Sequence, residues 1–421
     1  MNHICRVIVT TATIFVLSGC VFLGLREDVK LLDAATHITG TVEFSFDSKK
    51  PILVALFKKE GEGEPQPAAY AAVYGKANFQ FLIGSGNYYL IAFEDKNEDF
   101  ALQDDEYVGW YGNPAPILIE AGSGADYRNL TLSLKTPDQA KLELPQLYAP
   151  RESRALPEIE SQHLGEVVTI DDPLFTQQVG RLGMWNPVKF FQQGYNGIFF
   201  LEPYDRDKIP VLLIHGISGS GGDWRYIIEK LDRNKYQPWI VQYPSGLRLG
   251  LLSEAINQSF TQMQIRYKFE SAYIIAHSMG GLVARGIINK NLAQNEQSPV
   301  KLFVSISTPW SGHASASTGV DYAPVVVPSW YDMAPGSGYL NSLYENALPD
   351  FIPHYVLFSH GGGYSLLSDG NTDGVVSLRS QLPVHIQEKA EMVMGYDEGH
   401  VSILNSDAVV RKLDEIMNNA L

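Results

Sequence analysis

The sequence is poor in cysteine. Its 421 residues contain two, Cys5 and Cys20, and both lie within the first twenty positions. The rest of the chain therefore has no thiol for a disulfide, a thiolate metal site or a cysteine nucleophile.

Positive charge is also scarce. The chain has 32 Lys and Arg against 47 Asp and Glu, a net charge of -15. This balance argues against a nucleic-acid partner and against unaided docking on an anionic membrane. The apolar fraction of 45% and the charged fraction of 19% are those of a globular protein, which argues against disorder and against a multi-span membrane protein. A length of 421 residues predicts two domains rather than one core.

The N-terminal apolar run, residues 7–17, is too short to span a bilayer. With Arg6 before it, the run is typical of a secretory signal. The sequence Leu17-Ser18-Gly19-Cys20 that follows resembles the lipobox of bacterial lipoproteins, in which the cysteine is acylated and becomes the new N-terminus.

The lipobox resemblance implies a signal peptide over 1–19, a lipid-modified Cys20, a tether over 20–35 and a location in the bacterial cell envelope. Two or three acyl chains hold a protein firmly on a membrane, whereas one chain is marginal. Val21, in place of Asp, favours the outer membrane by resemblance to enterobacterial sorting rules. The alternatives are an ordinary signal peptide followed by a chance cysteine, and a lone transmembrane anchor.

Residues 36–135 have the pattern of a small all-β domain. Short runs of β-branched and aromatic residues are separated by Gly- and Pro-rich breakers, which predicts a β-sandwich. The runs are Thr39 to Phe46, Ile52 to Phe57, Phe79 to Ile83, Tyr88 to Phe93 and Leu130 to Leu134. The segment resembles the carboxypeptidase-regulatory and transthyretin-like modules found beside secreted enzymes. Residues 136–165, rich in Pro, Glu, Gln and Ser, are predicted to be a linker.

From residue 198 the pattern changes to buried apolar runs that alternate with amphipathic helices. This alternation is typical of a parallel sheet with helical crossovers. The runs are 197–201, 211–214, 238–241, 273–276, 302–306, 355–358 and 392–394. We therefore predict an α/β domain over 166–421, which begins with a helical stretch from Pro173 to Gln193 that is interrupted at Pro187.

The segment 273–284 combines a buried strand, a tight turn and a helix. Ser278 stands in the turn, with the small residues Ala276 and Gly280 two positions before and after it. A nucleophile elbow needs this arrangement because the serine backbone is strained and its neighbours must be small. The following helix directs its N-terminal dipole at a developing oxyanion. The alternative is an ordinary strand–helix junction.

Residues 198–421 resemble the lipases and esterases of the α/β-hydrolase family, because the elbow is accompanied by a glycine-rich loop that starts at His215-Gly216. The resemblance implies that Ser278 is the nucleophile and that the backbone N–H groups of Ile217 and Met279 form the oxyanion hole. It also implies that His277 points away from the chemistry. A phosphate-binding loop is the rival for the glycine-rich segment, but no Gly-Lys-Ser or Gly-Lys-Thr follows it.

His400 follows the last predicted strand and precedes the final helix, where this family places its catalytic base. The family order of nucleophile, acid and histidine puts the acid between Ser278 and His400. Asp369 and Asp373 compete for that role, and we favour Asp373 because Asp-Gly-Val-Val-Ser resembles the lipase sequence around the acid. Asp397 lies too near His400 in sequence to reach its Nδ1 easily.

Residues 311–353 form an insertion after the strand that ends near residue 306. By resemblance such an insertion is the lid over the acyl pocket, although packing against the sheet explains its apolar residues equally well. The preceding segment Ser-Thr-Pro-Trp-Ser-Gly resembles the Thr-Pro-His-x-Gly stretch of bacterial lipases, with Trp310 in place of histidine.

Asp95, Asn97, Asp99 and Glu106 are spaced like the oxygen ligands of a calcium loop. Phe100 stands where such a loop needs glycine, so an exposed acidic turn is the competing interpretation. No other cofactor is predicted.

The pattern as a whole predicts a serine hydrolase that cleaves carboxylic esters, a lipase or esterase, through an acyl-enzyme on Ser278. Its expected partners are an acyl ester or lipid substrate and the membrane that holds Cys20. Thioesterase, amidase or acyltransferase action on envelope lipids uses the same triad. A non-catalytic surface binding protein on a hydrolase scaffold is the alternative from a different class.

Overall fold

The structure, a computed structural model, describes residues 22–46, 48–75, 78–122, 124–143, 163–294, 298–365 and 370–420. The predicted signal peptide, Cys20 and Asp369 lie outside these ranges. Among the helices in the described ranges, none is long and apolar enough to cross a bilayer.

The predicted tether is helical where it is described. Helix α1 spans residues 22–34, and its Leu25 is fully buried. The Asp28 carboxylate accepts a hydrogen bond from the Val188 N–H at 2.9 Å, and the Phe22 ring meets the edge of Trp185 at a centroid distance of 5.6 Å. Helix α1 is therefore packed on the C-terminal part of the chain rather than free of it.

Two β-sheets form the N-terminal part. Their strands are β1 (Thr36–Glu43), β2 (Pro51–Lys59), β3 (Gln66–Tyr74), β4 (Asn78–Ile83), β5 (Gly86–Glu94), β6 (Val108–Trp110), β7 (Ile119–Ala121) and β8 (Asp126–Ser133). One sheet has the order β4-β1-β8, and the other has the order β3-β2-β5-β6, with β7 also paired to β5. Side chains such as Ile38, Val54 and Leu132 share one core between the sheets. The predicted all-β domain is confirmed.

The segment predicted as a linker has ordered structure at both ends. Helix α2 (Pro137–Glu143) follows β8, and strand β9 (His163–Val167) adds to the edge of the next sheet. Residues 144–162 lie between them, outside the described ranges.

An eight-stranded sheet forms the C-terminal part, in the order β18-β15-β14-β13-β11-β12-β10-β9. The strands after β9 are β10 (Gly197–Phe200), β11 (Ile209–Ile214), β12 (Tyr236–Gln242), β13 (Ala272–His277), β14 (Val300–Ile306), β15 (His354–Ser359) and β18 (Met392–Tyr396), while β16 (Gly363–Ser365) and β17 (Gly370–Thr372) form a separate hairpin. Neighbouring strands run parallel except β10 and β12, which are antiparallel. The predicted α/β class is confirmed.

Helices cover both faces of this sheet. They are α3 (Gln177–Trp185), α4 (Pro187–Gln192), α5 (Arg225–Lys230), α6 (Leu249–Tyr267), α7 (Met279–Gln294), α8 (Ala314–Tyr322), α9 (Pro328–Met333), α10 (Gly338–Ser342), α11 (Leu378–Gln381), α12 (Val384–Gln387) and α13 (Asp407–Asn419). The apolar sides of α6 and α7 share one core with the sheet. Those of α5 and α13 share a second core with it. Apolar strand residues on both faces explain why the strands read as continuous apolar runs.

The N-terminal sheets pack against the C-terminal part through α6. Its Ile265 joins the core formed by the outer face of β2, β3 and β5, and Lys268 pairs with Glu98 at 2.7 Å. Strand β2 is consequently buried on both faces, as the burial of Ile52 to Leu56 shows.

Several loops meet at the carboxyl ends of the parallel strands. Strand β11 leads into the glycine-rich loop, β13 leads into Ser278 and β18 leads into the segment with His400. In open α/β sheets this edge is where ligands bind, and it holds the candidate site.

Candidate active site

Ser278 occupies a sharp turn between β13 and α7. Its backbone φ is +55°, a left-handed conformation that is strained for a residue with a side chain. The Ser278 N–H donates to the Ile306 carbonyl at 2.8 Å, which holds the turn against β14. A Cβ built on Gly280 would lie 2.4 Å from the His215 carbonyl oxygen. Glycine is therefore required there, as the elbow interpretation expects.

His400 and Asp373 meet Ser278 although all three are distant in sequence. His400 Nε2 lies 2.9 Å from Ser278 Oγ, and His400 Nδ1 lies 2.6 Å from Asp373 Oδ2. The backbone N–H of His400 also donates to the Asp373 carbonyl at 2.9 Å, so the two loops are joined twice. The three side chains are nearly buried, with exposures of 5%, 8% and 2% for Ser278, His400 and Asp373.

The Asp373 carboxylate is held by four further donors. Oδ1 accepts from the N–H groups of Val375 at 2.9 Å and Val376 at 2.7 Å. Oδ2 accepts from Ser359 Oγ at 2.8 Å and from Gln381 Nε2 at 3.1 Å. Burial acts to raise the pKa of Asp373, but the contact with His400 and the two backbone donors outweigh it, so its pKa lies below the usual value.

Ser359 and Gln381 are site residues that the sequence analysis does not identify. Ser359 ends β15, and Gln381 lies in the short helix α11. Gln381 Nε2 also donates to the Ser359 carbonyl at 3.0 Å, which ties the helix to the strand end. A lone Ser or Gln beside a strand carries no motif, so no sequence signal pointed to either residue.

Asp397, which is close to His400 in sequence, does not take the place of Asp373 beside it. The side chain of Asp397 is 88% exposed and lies 3.9 Å from His360 rather than against His400. Asp369, the competitor of Asp373 in the sequence, lies outside the described residues.

His277 does not point away from the chemistry, contrary to the expectation from the family resemblance. Its Nε2–H donates to the His400 carbonyl at 2.8 Å, and the two rings are 4.8 Å apart. Burial, with the neighbouring His400 charge, lowers the pKa of His277 to about 3. His277 is therefore a neutral donor that fixes the backbone of the segment carrying His400.

The glycine-rich loop lies directly beside Ser278. A Cβ built on Gly216 would lie 2.9 Å from Ser278 Cβ and 3.4 Å from Ser278 Oγ. The absence of a side chain lets the loop backbone approach the hydroxyl.

Most N–H groups of this loop already have acceptors. The N–H groups of Ser218, Gly219, Ser220 and Gly221 donate to Ser245 Oγ, Gly216 O, Asp223 Oδ2 and Gln242 Oε1. Neither the Ile217 N–H nor the Met279 N–H donates to a described residue, and Met279 is the first residue of α7. The two predicted oxyanion donors thus have no acceptor among the described residues. One lies in the glycine-rich loop and the other at the N-terminus of α7, and both segments flank Ser278.

A cavity of 480 Å³ opens above Ser278 and His400. The insertion predicted as a lid contributes helices α8 and α9 to its wall, through Ala316, Trp330 and Met333. Asp332 anchors α9 by accepting from Arg248 Nε at 3.0 Å and from the Leu249 N–H at 2.6 Å. The insertion therefore packs on α6 and the core beside the sheet, and it forms part of the cavity wall.

Trp310 does not line the cavity. It is 1% exposed, and its ring meets Phe303 at 6.2 Å and His354 at 5.4 Å in the core. In the segment 307–312 it is Pro309 that lines the cavity wall.

The acidic loop between β5 and β6 uses its carboxylates on its own backbone. Asp95 accepts from the N–H groups of Asp99 and Phe100, each at 3.0 Å, and Glu106 accepts from Lys96 at 2.8 Å and Gln103 at 2.7 Å. Asn97 donates to Asp99 at 2.8 Å. Asp95 and Glu106 are fully buried, whereas Asn97 and Asp99 are exposed, so only part of the loop matches the exposed acidic turn of the competing interpretation. In the described part of the chain, no group of three or more His, Cys, Asp or Glu is placed to hold a metal ion.

Comparison with known proteins gives one family match. Residues 250–399 match the model of a family described as alpha/beta hydrolase of unknown function, DUF915. No curated protein matches the chain in sequence.

Solved structures resemble about half of the chain. A gene product of Listeria innocua is 15% identical, with a TM-score of 0.38 over 50% of this chain and 94% of that chain. The mature lipase BlEst2 of Bacillus licheniformis is 15% identical, with a TM-score of 0.39 over 52% and 94%. Lipase B of Aspergillus fumigatus is 14% identical, with a TM-score of 0.37 over 48% and 51%. The mostly parallel eight-stranded sheet of the C-terminal part has the α/β-hydrolase fold, and residues 250–399 within it match an α/β-hydrolase family model.

Proposed function

We propose that this protein is a serine hydrolase that cleaves carboxylic esters through an acyl-enzyme on Ser278. The observation that carries the proposal is the hydrogen-bonded series from Ser278 Oγ through the His400 ring to Asp373, with distances of 2.9 and 2.6 Å. A serine hydroxyl needs a base within hydrogen-bond reach, and the base needs a group that orients it.

In the acylation step His400 Nε2 takes the hydroxyl proton of Ser278 while Oγ attacks the ester carbonyl. The negative charge of Asp373 stabilises the imidazolium that forms, and the N–H groups of Ile217 and Met279 stabilise the oxyanion. His400 then gives the proton to the leaving alcohol. In the second step His400 Nε2 takes a proton from water as the water oxygen attacks the acyl carbonyl. The bond between Ser278 Oγ and the acyl carbon then breaks, His400 returns the proton to Oγ, and the acid leaves.

The cavity wall supports an ester with an apolar acyl group. Trp330, Met333, Ala316 and Leu404 face it together with Pro309. Burying an acyl chain against such side chains stabilises the complex by about 0.8 kcal/mol per methylene.

A covalent probe tests the proposal. We expect a fluorophosphonate to label the wild type on the peptide that contains Ser278 and to leave Ser278→Ala unlabelled. Ser259→Ala is the matched control, because Ser259 is a half-buried serine whose Oγ donates to Ala255 O within α6, and it should label like the wild type. A folded wild type that is not labelled would contradict the proposal and favour a binding protein on this scaffold.

We also propose that the protein is a lipoprotein of the bacterial cell envelope, acylated on Cys20 and located at the outer membrane. The packing of α1 supports a role for that anchor in holding the cavity near the membrane. The Phe22 ring contacts Trp185, which in turn meets Trp330 of the cavity wall at 6.1 Å. An acyl anchor two residues before Phe22 would hold the cavity close to the lipid surface.

Metabolic labelling tests the anchor. We expect the full chain to incorporate labelled palmitate and to sediment with outer membranes, and Cys20→Ser to lose both properties. Incorporation that persists in Cys20→Ser would contradict the assignment.

A further inference from the structure

Helix α3 packs directly against the glycine-rich loop that lies beside Ser278. A Cβ built on Gly180 would lie 2.5 Å from the Gly219 carbonyl oxygen and 2.7 Å from that of Ser218. Helix and loop therefore approach each other so closely that only glycine fits between them. The residue that follows, Arg181, lines the same cavity as Ser278 and Ile217.

Arg181 and Gln177 line the cavity from this helix. They are four residues apart and so lie on one face of α3, and both are exposed. Together they offer amide and guanidinium N–H donors to a molecule bound in the cavity.

Arg181 has no ionic partner of its own. No described acceptor lies within hydrogen-bond or ion-pair distance of its guanidinium, whereas nearby Arg225 pairs with Asp171 at 2.8 Å.

The rest of the described cavity wall does not neutralise Arg181. Asp223 is the one acidic residue among the lining residues, and its carboxylate is engaged with the Ser220 N–H at 3.0 Å. His313 Nε2 lies 2.8 Å from the Val375 carbonyl oxygen and its Nδ1 lies 3.2 Å from the Ser315 nitrogen, so both ring nitrogens are engaged.

We propose that Arg181 binds an anionic group of the ester and that the natural substrate is therefore a negatively charged ester. A guanidinium presents two parallel N–H donors to a carboxylate or a phosphate, which gives both affinity and orientation. The inference rests on the proposed function, because it assigns the substrate class of that same site. The charge can be carried by the acyl part or by the leaving alcohol.

Two pairs of synthetic esters test this proposal and separate the two positions of the charge. The acyl pair is 4-nitrophenyl hexanoate and the mono-4-nitrophenyl ester of adipic acid. The alcohol pair is the butyrate ester of methyl 4-hydroxybenzoate and that of 4-hydroxybenzoate. In each pair only one member carries a carboxylate, and hydrolysis is followed by absorbance for the wild type and three variants.

We expect the wild type to prefer the anionic member of at least one pair. Arg181→Gln should lower kcat/KM for that anionic ester by about 10- to 100-fold, mainly through KM, and change the neutral ester by less than about threefold. Arg181→Lys keeps the charge but not the fork geometry and should recover part of the loss. Arg411→Gln, on the exposed side of α13, is the matched control and should behave like the wild type.

A wild type without preference for the anionic ester in either pair overturns the inference. Equal losses on neutral and anionic esters in Arg181→Gln also overturn it, because they indicate a structural role for the side chain. Fluorophosphonate labelling of the same preparations keeps the two proposals apart. If Ser278 is labelled, an absent charge preference refutes only the role of Arg181, whereas an unlabelled folded wild type refutes the hydrolase itself and the inference with it.

Discussion

Replacement of Asp373 by Asn changes the proton position on His400 with little change of shape. In the native site Oδ1 accepts from the Val375 and Val376 N–H groups at 2.9 and 2.7 Å, while Oδ2 faces His400 Nδ1 at 2.6 Å. An Asn side chain must place its oxygen at the first position, because its NH2 there would oppose two backbone donors. Leaving those two buried donors unpaired costs about 1–3 kcal/mol each.

The amide NH2 of the substituted side chain then points at His400 Nδ1. It can donate only to an unprotonated Nδ1, so the ring proton moves to Nε2, the atom that must accept the Ser278 proton. We expect kcat/KM for a neutral ester to fall by about 10³- to 10⁴-fold, which corresponds to about 4–5.5 kcal/mol of transition-state stabilisation. Unfolding measurements should show a folded protein that is less stable by about 1–3 kcal/mol, because the amide NH2 at the second position opposes the Gln381 Nε2 donor.

The assay is the rate of ester hydrolysis together with the rate of fluorophosphonate labelling. Asp397→Asn is the matched control, since Asp397 lies three residues before His400 in sequence but is 88% exposed, and it should retain wild-type rates. The reasoning is refuted if Asp373→Asn retains more than about a tenth of the activity. It is also refuted if Asp369→Asn or Asp397→Asn causes the large loss instead.

Three further predictions follow from burial and close contact. Leu25→Ala should lower the free energy of unfolding by about 2–5 kcal/mol in urea, because Leu25 of α1 is fully buried. Gly216→Ala should slow labelling of Ser278 by about 10- to 100-fold, because its Cβ would lie 2.9 Å from Ser278 Cβ and would displace the loop. Burial lowers the pKa of His354 to about 3, from an ordinary histidine value of 6.5. Below pH 6.5 the unfolded chain therefore binds a proton that the native state does not bind. The stability that is present above pH 6.5 is consequently lost as the pH falls. In urea unfolding between pH 7.5 and 5, His354→Gln should flatten that loss by up to about 1.4 kcal/mol per pH unit.

Each of these predictions has a control on the same chain. Leu23→Ala should change stability by less than about 0.5 kcal/mol, because Leu23 is 61% exposed on the same helix. Gly338→Ala should label normally, because a Cβ on Gly338 meets nothing within 4 Å. Equal effects of Leu25→Ala and Leu23→Ala would contradict the packing of α1. A pH slope unchanged in His354→Gln would show that this histidine is not held neutral.

The sequence predicts the parts of the site that carry a local pattern. Ser278 follows a buried strand and stands between small residues, and His400 stands between a last strand and a last helix. Both patterns depend only on residues that are close in sequence, so they can be recognised without the tertiary structure. The donors around Asp373 come from separate elements, Ser359 from β15 and Gln381 from α11, and only the tertiary structure brings them together.

Strand β3 shows why part of the β domain is not predictable. Its sequence is QPAAYAAVY, and alanine has a low strand propensity. The strand forms because it pairs along β2 and because its small side chains fit against Ile265 of α6. Tertiary contacts therefore override the local preference.

The acidic loop shows a different limit. The spacing of Asp95, Asp99 and Glu106 is that of oxygen ligands, but the same spacing lets Asp95 and Glu106 accept backbone N–H groups within the turn. A sequence pattern cannot distinguish a carboxylate that binds a cation from one that shapes its own loop. Arg181 is a related case, since only the tertiary structure shows that it lines the same cavity as Ser278.

The central claim is that Ser278 becomes acylated during turnover. The most direct test mixes the wild type with a 4-nitrophenyl ester, quenches within milliseconds in acid and identifies the acylated peptide by mass spectrometry. The account predicts one acyl group on the peptide that contains Ser278, with release of about one equivalent of nitrophenol before steady state. Turnover without a burst and with no acyl group on that peptide, or an acyl group on another residue, would contradict it.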